Sequence, residues 1–169
     1  LCPRLARARI ASHTTAVCNS EAHLLTGGTG GLGLLTARWL AQSYAARVLA
    51  LASRGGVLSR DVAGEWAAIR AASAAMLVQR CDAAEVAHVG RLVAHVAGAA
   101  SAAMGVWHSA GVLSDGVLPG QTAEALARVY APKAHGAWAL HRAFATAVVR
   151  THARFSSEAA LLGGSGQAN

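Results

Sequence analysis

A glycine-rich run, TGGTGGLG at residues 26–33, has the residue types and spacing of a phosphate-binding turn. Gly27, Gly31 and Gly33 allow the backbone to turn tightly and to approach a pyrophosphate closely. A short apolar strand precedes the run and a helical pattern follows it, so the helix N-terminus would point its free amides at the phosphates. This setting predicts a dinucleotide site, and the alternative is a flexible glycine turn without a ligand.

The residues that follow the second and third predicted strands indicate which dinucleotide fits. Ser53 and Arg54 stand where a cofactor with a free ribose 2′-hydroxyl would call for an acidic residue. A hydroxyl beside a guanidinium suits a 2′-phosphate, which favours NADPH over NADH, unless Arg54 is simply a solvated arginine. Asp82 ends the third strand, where it would accept a hydrogen bond from the adenine amino group, cap the following helix, or do both.

Lys133 is the only lysine in a chain with 15 lysine and arginine residues. A chain so rich in arginine would exchange a dispensable surface lysine for arginine at little cost. The two residues differ chemically, because the compact ammonium of lysine can lose its proton and a guanidinium cannot. The retained primary amine is therefore a candidate for chemistry, with a solvated helix lysine as the alternative.

The elements that must position these residues alternate between strands and helices. Strands are predicted at 21–28, 47–54, 74–82, 104–112 and 153–161, with helical patterns between them. The longest helical stretch, 122–145, contains Pro132, which should force a bend or a restart. This order predicts an α/β fold, a Rossmann-like doubly wound parallel sheet with helices on both faces. Residues 1–20 show no periodic pattern and are interpreted as a linker or tail.

Composition narrows the class of protein. The 169 residues suit one domain, and the formal charge of +7 favours anionic ligands. The arginines are scattered singly without interleaved aromatic residues, so nucleic-acid binding is not predicted. No stretch of strongly apolar residues is long enough for a membrane span, so no membrane association is expected.

The cysteines and histidines do not form a recognisable metal or disulfide pattern. The 3 cysteines are odd in number and widely spaced, which predicts a reducing, cytoplasmic location. His88 and His95 share one predicted helix, and His135 and His141 share another, without a carboxylate at ligand spacing. We therefore expect no metal site.

Four blocks of the sequence together resemble a known family. They are LLTGGTGGLGLLTARWLA, VWHSAGVLSDGVL, VYAPKAHGAWALH and FSSEAALLGGSGQAN. The chain is similar to the short-chain dehydrogenase/reductase superfamily and, more narrowly, to the ketoreductase domain of polyketide synthases and of animal-type fatty acid synthase. The resemblance covers residues 21–169 and implies an NADP-binding Rossmann domain that is incomplete at its C-terminus, with NADPH as the cofactor.

The resemblance also implies site residues. Lys133 matches the family's lysine on the long helix before the serine-bearing strand, and Ser157 matches the catalytic serine. In that chemistry the serine donates to the substrate carbonyl, and the ammonium helps a tyrosine release its proton to the alkoxide. Implied cofactor-binding residues are Thr26, Gly27, Thr29, Gly30, Gly31, Leu32, Gly33, Ser53, Arg54, Asp82, Ser109, Ala110 and Gly111.

The segment LSD at 113–115 stands where many ketoreductases have a Leu-Asp-Asp motif. Asp115 matches the last aspartate, which in the family accompanies so-called B-type products with D-configured hydroxyls. Ser114 departs from the motif, and Leu162 replaces the tryptophan that marks the opposite type. The resemblance thus favours B-type stereocontrol by Asp115, and an ordinary loop residue is the alternative.

The family's catalytic tyrosine would fall one position beyond Asn169, and Tyr44 and Tyr130 lie elsewhere in the sequence. We therefore expect a fragment that ends just before this residue and has negligible reductase activity alone. The implied reaction is NADPH-dependent reduction of a β-ketoacyl thioester on the phosphopantetheine of an acyl carrier protein, beside other synthase domains. The alternatives are an inactive cofactor-binding module or a free-standing short-chain dehydrogenase. The latter is disfavoured because in most such enzymes the lysine follows the tyrosine as YxxxK.

Overall fold

Five parallel strands form one sheet in the computed structural model, which describes residues 22–44, 46–58, 60–72, 75–99, 103–157, 159–164 and 166. The strands are β1 (Ala22–Thr26), β2 (Val48–Ser53), β3 (Ala75–Arg80), β4 (Met104–His108) and β5 (Val149–Arg154). Their order across the sheet is β3-β2-β1-β4-β5, and every neighbouring pair is parallel. The predicted parallel α/β sheet is confirmed.

Helices cover both faces of this sheet. They are α1 (Gly31–Tyr44), α2 (Ala63–Ala71), α3 (Val86–Ala99), α4 (Ala123–Tyr130), α5 (Gly136–Ala143) and α6 (Ala159–Leu162). Neighbouring residues of the fully buried β1 belong to different cores, because side chains alternate across a strand. Leu24 packs in the cluster that contains residues of α3 and α5, and Leu25 in the cluster that contains residues of α1 and α2.

The fifth strand differs from its prediction. It spans Val149–Arg154 rather than 153–161, so Ser157 lies in the loop after the strand, before the short helix α6. Among the described strands β5 pairs only with β4, and such an edge position accepts polar residues such as Arg150 and His152. The prediction began too late because Arg150, Thr151 and His152 interrupt the apolar pattern at the start of the strand.

The long helix does not break at Pro132. It continues from α4 into α5 through a π-helical turn, Ala131–His135, in which the Gly136 N–H donates to the carbonyl of Ala131. Pro132 has no N–H and cannot extend the regular i to i−4 pattern. The predicted bend thus takes the form of a π turn, a feature frequent at functional sites, and Lys133 lies within it.

The predicted linker at 1–20 lies outside the described residues. Within the described part of the chain, no helix is long and apolar enough to cross a membrane. No group of three or more histidine, cysteine, aspartate or glutamate side chains is placed there to hold a metal ion.

Candidate active site

The site lies at the carboxyl ends of β1 and β4, where the chain switches from one side of the sheet to the other. Open parallel sheets bind ligands at such a switch point. Ser109, the first residue after β4, ties the two strand ends together. Its backbone N–H and its Oγ both donate to the carbonyl of Thr26, at 3.0 and 2.9 Å.

The glycine turn between β1 and α1 is compact. Gly27 has a φ of 71°, and a Cβ at this position would lie 2.7 Å from the backbone nitrogen of Ala110. The Gly28 N–H donates to the carbonyl of Ala52 at 3.1 Å, and the Gly30 N–H to that of Gly27 at 3.0 Å. Both the left-handed backbone and the close approach of the β4 loop therefore require glycine at position 27.

Gly33 has a packing role. A Cβ there would overlap the carbonyl oxygen of Gly27 and would lie 2.6 Å from the Cα of Gly28. The absence of a side chain thus lets α1 approach the turn that precedes it. Neither Gly33 nor Gly31 lines a cavity at this edge, whereas both were predicted to bind the cofactor.

A first cavity of about 370 Å³ opens over the glycine turn, and we call it the turn cavity. Residues at or just after the carboxyl ends of β1, β2, β3 and β4 line it. Ten of the predicted cofactor-binding residues line it: Thr26, Gly27, Thr29, Gly30, Ser53, Arg54, Asp82, Ser109, Ala110 and Gly111. The row of four neighbouring strand ends suits an extended ligand such as a dinucleotide, and the free amides at the start of α1 suit its phosphates.

Two polar side chains of the turn cavity are engaged in local turns. Ser53 Oγ accepts from the Gly56 N–H at 3.2 Å, and Asp82 Oδ1 accepts from the Ala84 N–H at 3.0 Å. Asp82 therefore shapes the turn before α3, which begins four residues later, and does not itself cap that helix. Arg54 is exposed at the rim of the cavity and forms no ion pair among the described residues.

A second cavity, of about 480 Å³, adjoins the first, and we call it the lysine cavity. Lys133 and Ser157 both line it, together with Asp115 and Leu32, the last of which was predicted to bind the cofactor. The segment Ser109–Gly111 lines both cavities and so joins them. Lys133 runs along this shared wall, since a Cβ on Gly111 would lie 3.6 Å from its Cε.

Ser157 is positioned by the start of α6. Its Oγ accepts from the Ala159 N–H at 3.2 Å, which leaves its hydroxyl hydrogen to donate to another group. Tyr44 and Tyr130, the two tyrosines of the chain, do not line either cavity. The structure therefore brings the Lys133 ammonium and the Ser157 hydroxyl to one cavity, which Arg154, Ser156 and Asp115 also line.

Side chains from α4 and from the segment before it hold the loop that carries Asp115 through hydrogen bonds. Gln121 Nε2 donates to the carbonyl of Gly116 at 3.2 Å, and Arg128 Nη2 donates to Ser114 Oγ at 2.7 Å. Ser114, which departs from the family motif, thus serves as the partner of an arginine. Asp115 itself is exposed and faces the lysine cavity from its mouth.

His108, the last residue of β4, was not among the predicted site residues. It is 4% exposed, with Nδ1 at 2.6 Å from Thr26 Oγ1 and Nε2 at 3.3 Å from the carbonyl oxygen of Lys133. Burial lowers the pKa of its imidazole and so favours the neutral ring. A histidine at the carboxyl end of the buried strand MGVWH was the signal that sequence reasoning passed over.

Comparison with known proteins decides the family. The profile of the KR domain matches residues 21–169. The chain belongs to the KR domain family. A phenolphthiocerol/phthiocerol polyketide synthase protein of Mycobacterium tuberculosis is 40% identical over 151 residues, which are 89% of this chain and 7% of that protein. This KR domain therefore spans a small part of the multidomain synthases that it matches.

Solved ketoreductases share the fold. A ketoreductase domain from the bacillaene assembly line has a TM-score of 0.83 and 26% identity over 95% of this chain and 38% of its own. A structure of A-type ketoreductases from a modular polyketide synthase has a TM-score of 0.81 and 30% identity, over 96% of this chain and 34% of its own. The predicted resemblance to polyketide synthase ketoreductases is thus confirmed, as is a reductase fold of the type that binds NAD(P)H.

Proposed function

We propose that this KR domain takes part in the NADPH-dependent reduction of a carrier-bound β-ketoacyl thioester to the β-hydroxyacyl thioester. One observation carries the proposal. Lys133 and Ser157, which lie far apart in the sequence, line one cavity that shares the wall Ser109–Gly111 with the turn cavity. A ketone in the lysine cavity would therefore lie beside a dinucleotide in the turn cavity.

The turn cavity has the donors that a phosphorylated dinucleotide needs. Thr29, Gly30 and the first amides of α1 would hold the pyrophosphate. Ser53 and Arg54 would hold the ribose 2′-phosphate, since a guanidinium makes strong, charge-assisted hydrogen bonds to phosphate. Asp82 would accept from the adenine amino group. When bound, the reduced nicotinamide supplies a hydride to the ketone carbon.

The lysine cavity has the groups that stabilise the product of this step. Ser157 would donate its hydroxyl hydrogen to the ketone oxygen, which becomes an alkoxide as the carbon is reduced. The Lys133 ammonium would lower the energy of this negative charge, and in a chimera that supplies the family's tyrosine it would also help that tyrosine release its proton to the alkoxide. Asp115 at the mouth of the cavity would influence which face of the ketone is presented, with the B-type product expected.

The partners follow from the chemistry of the substrate. A thioester on the phosphopantetheine arm of an acyl carrier protein would enter through the mouth of the lysine cavity, and other synthase domains would supply the β-ketoacyl chain. A tyrosine proton donor does not line the cavity, since Tyr44 and Tyr130 lie away from it. We therefore propose that these 169 residues alone bind NADPH but turn over the thioester negligibly.

The proposal is tested in two proteins. The chain itself is titrated with NADPH and NADH, and binding is followed by nicotinamide fluorescence. Turnover is measured in a chimera that continues from Asn169 into the matching C-terminal part of the bacillaene ketoreductase, with a β-ketoacyl N-acetylcysteamine thioester as substrate. Binding of NADPH in preference to NADH, together with turnover only in the chimera, is expected. Failure to bind NADPH, or robust turnover by the chain alone, would refute the proposal.

We predict that Gly33→Ala weakens NADPH binding by about tenfold or more, which corresponds to at least about 1.4 kcal/mol. The new methyl group would press on the backbone of Gly27 and Gly28 and displace the turn. Gly90→Ala is the matched control, because nothing lies within 4 Å of a Cβ at that helical position. Equal dissociation constants for NADPH in the two variants would contradict this account of the turn.

A further inference from the structure

His108 lines the lysine cavity and is hydrogen-bonded to a residue of the turn cavity. Thr26 belongs to the turn cavity and Lys133 to the lysine cavity, and the imidazole lies between the Thr26 hydroxyl and the Lys133 carbonyl. We propose that His108 is a positioning residue that fixes the π turn, and with it the Lys133 side chain, relative to the glycine turn. The inference rests on the proposed function, because it concerns how the lysine of that site is held.

The hydrogen bonds assign the protons on the ring. The carbonyl of Lys133 only accepts, so Nε2 of His108 carries a hydrogen and donates it. In a neutral imidazole Nδ1 then accepts, and Thr26 Oγ1 is the donor at 2.6 Å. Both ring nitrogens are thus satisfied in one tautomer, which gives the link a defined geometry at each end.

The electrostatic surroundings agree with a neutral ring. Burial is the main cause of the lowered pKa of His108, and the nearby Arg154 lowers it further. The carbonyls of Lys133 and Pro132 act in the opposite direction, since both favour a protonated ring nitrogen. The result is an uncharged connection that places no positive charge beside the Lys133 backbone.

The Lys133 carbonyl is bonded both within the π turn and from outside the helix. The Gly136 N–H donates to the carbonyls of both Ala131 and Lys133. The Lys133 carbonyl also accepts a hydrogen bond from outside the helix. His108 supplies it, and it sits close enough that a Cβ on Gly136 would lie 3.0 Å from its Cε1.

The consequence concerns the ammonium. The Lys133 stem lies against Gly111, in the wall that the two cavities share. A shift of the π turn would carry the side chain out of this position, and small misplacements of a reacting group are costly in rate. His108 thereby links the position of the Lys133 side chain to the position of the glycine turn.

The single lysine gives a direct test on the chain itself. Reductive methylation with ¹³C-formaldehyde labels Lys133 as the one lysine signal in a carbon–proton NMR spectrum, apart from the N-terminal amine. His108→Asn keeps an acceptor toward Thr26 and loses the donor to the Lys133 carbonyl, whereas His108→Gln restores a donor at the Nε2 position. We expect the lysine signal to move to the value of an unstructured dimethyl-lysine in His108→Asn and to stay near the native value in His108→Gln.

A second pair of variants tests the link from its other end. Thr26→Val removes the hydroxyl that bonds His108, and Thr26→Ser retains it. The lysine signal is expected to move in the valine variant and to keep its position in the serine variant. The effect would pass from Thr26, at the end of β1, to the π turn through His108. An unmoved signal in folded His108→Asn, or in Thr26→Val if the asparagine variant does not fold, overturns the inference. The spectra are recorded without cofactor, so a failure of NADPH binding would instead count against the proposed function alone.

Discussion

Replacing Lys133 by methionine should lower kcat of the chimera by about 10²- to 10⁴-fold, the range that positioned acid–base groups contribute. Methionine keeps much of the length of the side chain and removes the charge that stabilises the alkoxide. Lys133→Arg should also lose most activity, because a guanidinium does not release its proton and has a different shape. The dissociation constant for NADPH should change little, since Lys133 lines the lysine cavity and not the turn cavity.

The control for this result is Arg142→Met. Arg142 is exposed on α5, in the same helical run, and does not line either cavity. Steady-state turnover of the β-ketoacyl thioester is compared for the two methionine variants at saturating NADPH. If the Lys133 variant keeps activity similar to that of the Arg142 variant, the lysine is a solvated helix residue and the assignment is wrong.

Replacing Arg54 by alanine should weaken NADPH binding by about 10- to 150-fold, because a hydrogen bond to a charged group contributes about 1.5–3 kcal/mol. Binding of NADH should be almost unaffected, since it lacks the 2′-phosphate. The measurement is a fluorescence titration of each cofactor at fixed salt concentration, because contacts between exposed charges are screened by ions.

Arg70→Ala serves as the control for charge alone. Arg70 is exposed near the end of α2 and lies outside both cavities, so it changes the net charge equally. A parallel loss of NADH and NADPH binding in the Arg54 variant would mean that Arg54 does not contact the 2′-phosphate. A loss that is equal in the two arginine variants would mean that only the overall charge matters.

The sequence predicts the first four strands of this fold better than the fifth. β1, β2 and β4 are largely apolar runs, which buried parallel strands produce, and β3 at the edge of the sheet is apolar over its first four residues. β5 was placed too late because Arg150, Thr151 and His152 interrupt its apolar pattern and resemble a loop. The π turn was foreseen only as a bend at Pro132, since a proline excludes one hydrogen bond without dictating which other bond forms.

The residues of the candidate site were also predicted only in part. Ten of the 17 residues that line the turn cavity were predicted, because they follow strands whose carboxyl ends must meet at one edge. That Lys133 and Ser157 share a cavity came from the resemblance, since no spacing rule joins a helix residue to a distant loop. His108 was missed because its role depends on hydrogen bonds to β1 and to the π turn, two segments distant in the sequence, which a single sequence does not display.

The most direct measurement of the central claim is transfer of deuterium from NADPH deuterated at the nicotinamide C4 to a β-ketoacyl N-acetylcysteamine thioester, catalysed by the chimera. Mass spectrometry of the product should find one deuterium on the β-carbon of a β-hydroxyacyl thioester, with far less product from NADH. A folded chimera that binds NADPH but forms no deuterated hydroxyacyl product would contradict the proposed function.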